Sequence, residues 1–196
     1  MIQNLHPFDI LATGNVTRWH TVRTARAQTL AEHKGRGALL AVWLGHRLPV
    51  GHFGAQDELE VLRLFLLHDM PETQNGDMPN PSKQGLNHLR DIDYDDLMDG
   101  LFWQARGVSN PMATASDLAR SLLRVADVLE AACFYWMEGL TERRPGQEAL
   151  KLVIVREAMG MVAQAFPLLL TTVGEVLLAA GVPIDLIEEI EREVAA

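Results

Sequence analysis

An apolar run over residues 61–67 stops at the adjacent pair His68-Asp69, and Glu72 follows three residues on. Burying an imidazole and a carboxylate without partners costs several kcal/mol. Any fold that buries this run must therefore bring compensating groups to its end. A divalent cation is one such group, and it needs further ligands from other parts of the chain. A Gly76-Asp77 turn comes soon after.

Helical periodicity dominates the rest. Thr29, with Glu32 three residues later, has capping-box spacing and opens a helix over 30–47. His33 lies in its first turn, and Leu39, Leu40, Val42, Trp43 and Leu44 form one apolar stripe. A second helix spans 58–70 and ends at Pro71. Residues 72–85 lack periodicity and read as a loop of about fourteen residues, a length often tied to function. Helices follow over 86–105 and 115–138; the latter has Leu118, Leu122, Val125, Leu129 and Ala132 on its apolar face and Asp127 beside it. Residues 147–170 are helical, with a break expected at Pro167. Residues 171–180 continue to a stop at Gly181, and Pro183 starts a last helix. Residues 18–21 read as a loop or short extended piece, and 139–146 as a loop. No alternating pattern exceeds four residues. The expectation is one all-α domain over residues 1–196, a bundle of six to eight helices.

Charge narrows the function. A formal net charge of −9 argues against binding polymeric nucleic acid. The segment 18–47 nevertheless holds Arg18, Arg23, Arg26, Lys34, Arg36 and Arg47 against Glu32, while 185–193 is acidic. A local basic patch on an acidic protein suits a small anion better than a polyanion, although such a patch alone is more often a solvated helix face. No apolar run reaches the length of a membrane span. The single cysteine, Cys133, excludes an internal disulfide framework, reads as an inert buried thiol, and makes a reducing cytoplasm the default location.

The candidate ligands are His33, His68, Asp69 and Asp127, at the start, end and middle of separate helices. Imidazole and carboxylate without thiolate suit Mn²⁺, Co²⁺, Zn²⁺, Fe²⁺ or Mg²⁺ with open positions. Such a site can polarise a phosphoryl group and lower the pKa of a water. Each residue alone also has an ordinary reading. His33 can be a cap or surface residue, and Asp127 can face solvent or pair with Arg124. What carries weight is the order: His, then His-Asp at a helix end, then Asp inside an apolar helix.

That order resembles the HD-domain phosphohydrolase superfamily, here as His33, His68-Asp69 and Asp127 on an all-α HD-type core. Further stretches carry the likeness: Arg18-Trp19, the 29–33 segment, Glu72, the 76–83 segment through Pro79, Pro81 and Lys83, and Ala126-Asp127. They are similar to bacterial HD-type 5′-deoxynucleotidases and to small phage dATP triphosphohydrolases, over about residues 15–135. The sequence around Arg18-Trp19-His20-Thr21 looks closer to the phage type.

The resemblance implies roles. His33, His68, Asp69 and Asp127 match metal ligands for a divalent ion such as Co, Mn, Zn or Mg. Glu72 matches the general acid/base. Arg18 and Lys83, with Lys34, match phosphate contacts. Trp19, Thr21, Asp77 and Pro79 match sugar or base contacts. Two departures stand out. Lys34 replaces a small hydroxyl residue after the first His. Met70-Pro71 replaces small residues before Glu72, so Pro71 is expected to bend the helix end and shift Glu72. The implied activity is hydrolysis of dATP to deoxyadenosine and triphosphate. The alternatives are a 5′-deoxynucleotidase acting on dNMPs and a non-catalytic nucleotide-binding HD module. The partner is a small deoxynucleotide, with no membrane. Homo-oligomers, dimer or hexamer, are expected from the apolar stretch 166–180 and from the related enzymes.

Overall fold

The computed structural model describes residues 4–90, 93–140 and 145–194. In order these form α1 (Pro7–Ala12), β1 (Thr17–Arg18), β2 (Gln28–Thr29), α2 (Leu30–Gly45), α3 (Ala55–Leu67), α4 (Glu72–Asn75) and α5 (Asn80–Arg90). Then come α6 (Tyr94–Ala105), α7 (Pro111–Thr114), α8 (Asp117–Glu138), α9 (Pro145–Ala165), α10 (Leu170–Ala179) and α11 (Ile184–Val194). The architecture is all-α, and eight of these helices have ten residues or more. No helix among the described residues is long and apolar enough to cross a membrane.

The central element is α8, which packs on α2, α3 and α9. Ser116 caps it by accepting from the Ala119 N–H at 3.2 Å. Its Leu122, Val125, Leu129 and Ala132 are buried, as the periodicity predicts. Each fully buried leucine contributes roughly 1.5–3 kcal/mol. Cys133 is buried on the same helix. Burial, then the nearby Glu130, pushes its thiol up to about 12, which fits the inert thiol expected.

The buried face of α2 differs from the predicted stripe. Leu39 is 71% exposed. The buried positions are instead Leu30, His33, Lys34, Gly37, Ala38, Ala41 and Leu44. Small residues on this face let the α2 backbone approach α3 and α8. A Cβ at Gly37 would land on the Phe65 ring. Gly37→Ala is expected to destabilise the protein by about 1–3 kcal/mol, the usual cost of overpacking. Thermal unfolding checks this; an unchanged Tm would mean that Phe65 moves aside freely.

The supposed loop at 72–85 contains structure. Pro71 ends α3 and its turn, and α4 follows at once. Gly76 then turns the chain at φ +76°, a conformation glycine adopts without strain. Helix α5 begins at Asn80, so Pro81 sits in a first turn, where a missing N–H costs nothing. The expected helix over 86–105 is two helices, with Asp93 capping α6 by accepting from the Asp96 N–H at 3.1 Å. The break at Pro167 is a short 3₁₀ turn, Pro167–Leu169. Of the expected loop at 139–146, residues 141–144 lie outside the described residues.

The short extended piece at residue 18 is half of an antiparallel ribbon. Strand β1 pairs with β2, with Arg18 opposite Gln28 and Thr17 opposite Thr29. Thr29 ends the ribbon and caps α2, accepting from the Glu32 N–H at 3.2 Å. The Glu32 carboxylate does not complete a capping box. It is taken by Arg26, at 2.7 and 2.8 Å.

Candidate active site

Three separate helices deliver polar groups to one point. The cap at Thr29 fixes the first turn of α2 and with it His33, which is fully buried. The end of α3 places His68, whose backbone N–H still bonds to the Leu64 carbonyl at 2.9 Å. The following turn presents Asp69. The middle of α8 supplies Asp127.

The distances are short. His33 Nε2 lies 3.0 Å from Asp127 Oδ1 and 3.5 Å from Asp69 Oδ2. His68 Nε2 lies 3.1 Å from Asp69 Oδ1. One ligand atom from each of His33, His68 and Asp127 falls within 4.8 Å of the others. Ligands about 2.1 Å from a common ion stand about 3.0–3.4 Å apart in octahedral or tetrahedral geometry. Both Nε2 atoms are buried without a hydrogen-bond partner. His68 Nδ1 contacts the Phe65 carbonyl at 2.7 Å. A carbonyl only accepts, so Nδ1 carries the proton and the neutral ring's lone pair sits on Nε2. These donors fit a divalent cation.

Charge in the site is tightly balanced. Burial would lift the Asp69 carboxyl, but facing His68, His33 and Arg18 hold it well below the usual range. Asp127 is likewise lowered, against its burial, by His33, His68 and Arg18. Burial disfavours charge on His33, yet its pairs with Asp127 and Glu130 lift it to about 9. A metal must therefore displace a proton from His33. Glu72 is pushed well up by burial, then by Asp69 and Asp77. Despite burial, Arg18 is kept charged by Asp127, Asp69, Glu72 and Asp77, and its Nη1 reaches Asp69 Oδ2 at 3.5 Å.

Two cavities meet here. The larger, of about 420 Å³, is lined by Arg18, Trp19, Thr21, Asp77, Pro79 and Lys83, among others. Its lining also includes Val128 and Ala131 of α8 and Leu150, Val153, Ile154 and Glu157 of α9. The smaller, of about 290 Å³, is more polar and includes Asn75, Lys83, Tyr94, Asp95 and Asp99. Asp69, Glu72, Lys83 and Asp127 line both. Burial raises Asp99 to about 6, although it accepts from Asn110 Nδ2 at 2.9 Å.

Most residues singled out in the sequence thus come together. Pro71 sits directly before Glu72, at the N-cap of α4. It ends one helix and starts the next, so Glu72 faces both cavities. The side chain of Pro81 lies outside the described residues. Lys34 joins the site residues electrostatically, its buried ammonium within reach of the charges of Asp69, Glu72 and Arg18. It lies neither on the outer face of α2 nor on either cavity wall. Its ammonium is buried without a hydrogen-bond partner, and burial pulls it down to about 8. Part of the basic patch is neutralised. Arg26 is held by Glu32 and Glu138, and Arg36 by Glu32 at 3.2 Å and Glu130 at 3.6 Å. Gln28 and Glu130 went unnoticed in the sequence. Glu130 lies one helical turn beyond Asp127 and is 2% exposed. That spacing, on an otherwise apolar face, is a signal that could have found it.

A dATP triphosphohydrolase of Salmonella phage PMBT28 is 30% identical over 140 residues, covering 69% of this chain and 68% of its own. The chain belongs to the HD phosphohydrolases. The family model of YfbR-like 5′-deoxynucleotidases matches residues 10–97. A second relative of this HD phosphohydrolase, the dATP triphosphohydrolase of Cyanophage S-2L, is 28% identical over 140 residues, covering 71% of this chain and 74% of its own. The solved Cyanophage S-2L HD phosphohydrolase DatZ, bound to dA and one catalytic Zn²⁺ ion, shares the fold with a TM-score of 0.64. It is 18% identical and covers 97% of this chain and 95% of that one.

Proposed function

We propose that this HD phosphohydrolase cleaves 2′-deoxyribonucleoside 5′-triphosphates, with dATP as the preferred substrate. One observation carries the reading. The candidate metal centre stands where a half-apolar, nucleoside-sized cleft meets a polar cavity. The names of the two phage relatives support the substrate.

His33, His68, Asp69 and Asp127 hold a divalent ion of the Co, Mn, Zn or Mg type, which supplies Lewis-acid polarisation of the α-phosphoryl group. Arg18 offers a planar guanidinium to phosphate oxygens, and Lys83 a point charge. Trp19, Thr21 and Pro79 face the base and sugar, and Asp77 accepts from a sugar hydroxyl. Water attacks the α-phosphorus and the bond to the 5′-oxygen breaks. Glu72 takes the proton from the water or returns one to the 5′-oxygen. The products are deoxyadenosine and triphosphate.

A second reading, 5′-deoxynucleotidase action on dNMPs, has its own support. The smaller cavity carries Asp95 and Asp99 against Lys83, whose ammonium pairs with Asp95 at 2.9 Å. Such a wall disfavours a long anionic chain. Incubation with Co²⁺, Mn²⁺, Zn²⁺ or Mg²⁺ and a panel of dNTPs and dNMPs decides. Triphosphate released from dATP is the expected result, and inorganic phosphate from dAMP alone supports the second reading. No turnover by the metal-loaded protein leaves a non-catalytic nucleotide-binding module. We also read the exposed Leu168, Leu178 and Ile184 as part of a self-association surface. Light scattering that gives a mass near 21.8 kDa would contradict it.

A further inference from the structure

We infer that Glu130 and Gln28 are positioning residues that set the tautomer of His33 and tie it to the Trp19 wall of the nucleoside cleft. The inference rests on the metal-site reading above. The contacts are continuous. Trp19 Nε1 donates to Gln28 Oε1 at 2.8 Å, and Gln28 Nε2 donates to Glu130 Oε1 at 2.7 Å. Glu130 Oε2 meets His33 Nδ1 at 2.7 Å. Gln28 and His33 are 0% exposed and Glu130 2%, so water does not complete these bonds. Arg36 Nη1 stands 3.6 Å from Glu130 Oε1 and supplies a compensating charge.

The polarity of the chain is forced from the Trp19 end. An indole N–H only donates, so Gln28 must turn its oxygen to Trp19 and its amide nitrogen to Glu130. A carboxylate only accepts, so the remaining Glu130 oxygen requires a proton on His33 Nδ1. The neutral imidazole then has its lone pair on Nε2, the atom facing Asp127 and Asp69. Trp19 is itself fixed, stacked on Tyr135 at 5.0 Å and held at φ +64°. A ligand imidazole held by a carboxylate is oriented and made more basic. Here that carboxylate is in turn oriented by the cleft wall.

The test exploits this polarity. In Glu130→Gln, the new amide must give its oxygen to Gln28, which leaves its NH₂ group against His33 Nδ1. His33 then carries its proton on Nε2, where it blocks the ion. The double variant Gln28→Glu/Glu130→Gln restores the order. A carboxylate at position 28 accepts from Trp19 and from the amide at position 130, whose oxygen again accepts from His33. Calorimetric titration with Zn²⁺ or Co²⁺ is expected to show about 10- to 100-fold weaker binding for E130Q. The double variant is expected to regain on the order of tenfold or more. Unchanged affinity in E130Q overturns the inference, and so does a folded double variant that binds no better than the single one. ¹⁵N NMR of histidine-labelled, Zn²⁺-loaded wild type stands if E130Q fails to fold. A protonated His33 Nδ1 is expected there, and a metal-bound Nδ1 overturns the inference. Wild type that takes up neither ion removes the metal-site reading, and this inference with it.

Discussion

Asp69→Ala is expected to leave a folded protein that holds no divalent ion and hydrolyses no deoxynucleotide. Asp69 stands against both candidate ligand imidazoles and Arg18, at 3.5, 3.1 and 3.5 Å. Its removal takes a ligand away and leaves His33, His68 and Arg18 facing one another without their shared anion. Loss of an outer-shell partner alone costs about 10- to 100-fold in metal affinity or activity. Loss of a direct ligand should exceed that range. Metal content after gel filtration, dATP turnover and far-UV circular dichroism check the result. A variant with wild-type metal content would remove Asp69 from the ligand set. Retained turnover without metal would sink the metal-dependent reading altogether.

The second large effect is expected at Glu72. Glu72→Gln should lower kcat by about 10²- to 10⁴-fold, the usual contribution of a positioned acid or base. Metal content should not change, because the proposed ligands are His33, His68, Asp69 and Asp127, and Glu72 is assigned to the proton instead. Its Oε2 is buried without a hydrogen-bond partner, and Asp69 and Asp77 repel its charge. The amide has the same shape without that charge, so Tm should hold or rise while activity falls. This split separates a chemical role from a structural one. If kcat is unchanged, another group handles the proton.

The sequence disclosed those parts of the site that depend on local order. Thr29 predicts the start of α2, and hence the turn that carries His33. The apolar run before His68 and the stop at Pro71 predict a helix end that presents His68 and Asp69. The stretch 72–85 was harder. Asn80-Pro81 is a helix start as readily as a turn, and only packing against α6 decides between them. The basic segment misled for a different reason. Arg26 is neutralised in part by Glu138, which lies 112 residues away in sequence. Gln28 gives no local signal at all. A glutamine becomes buried only when the fold brings it both a donor and an acceptor, here Trp19 and Glu130.

Part of the lining of the larger cavity comes from α9, through Leu150, Ile154 and Glu157. That helix carries no candidate ligand and no candidate proton carrier. It thus lines the larger cavity without contributing to the candidate chemistry. On the function proposed above, substitutions along this face of α9 are expected to shift base preference while metal content stays as it is.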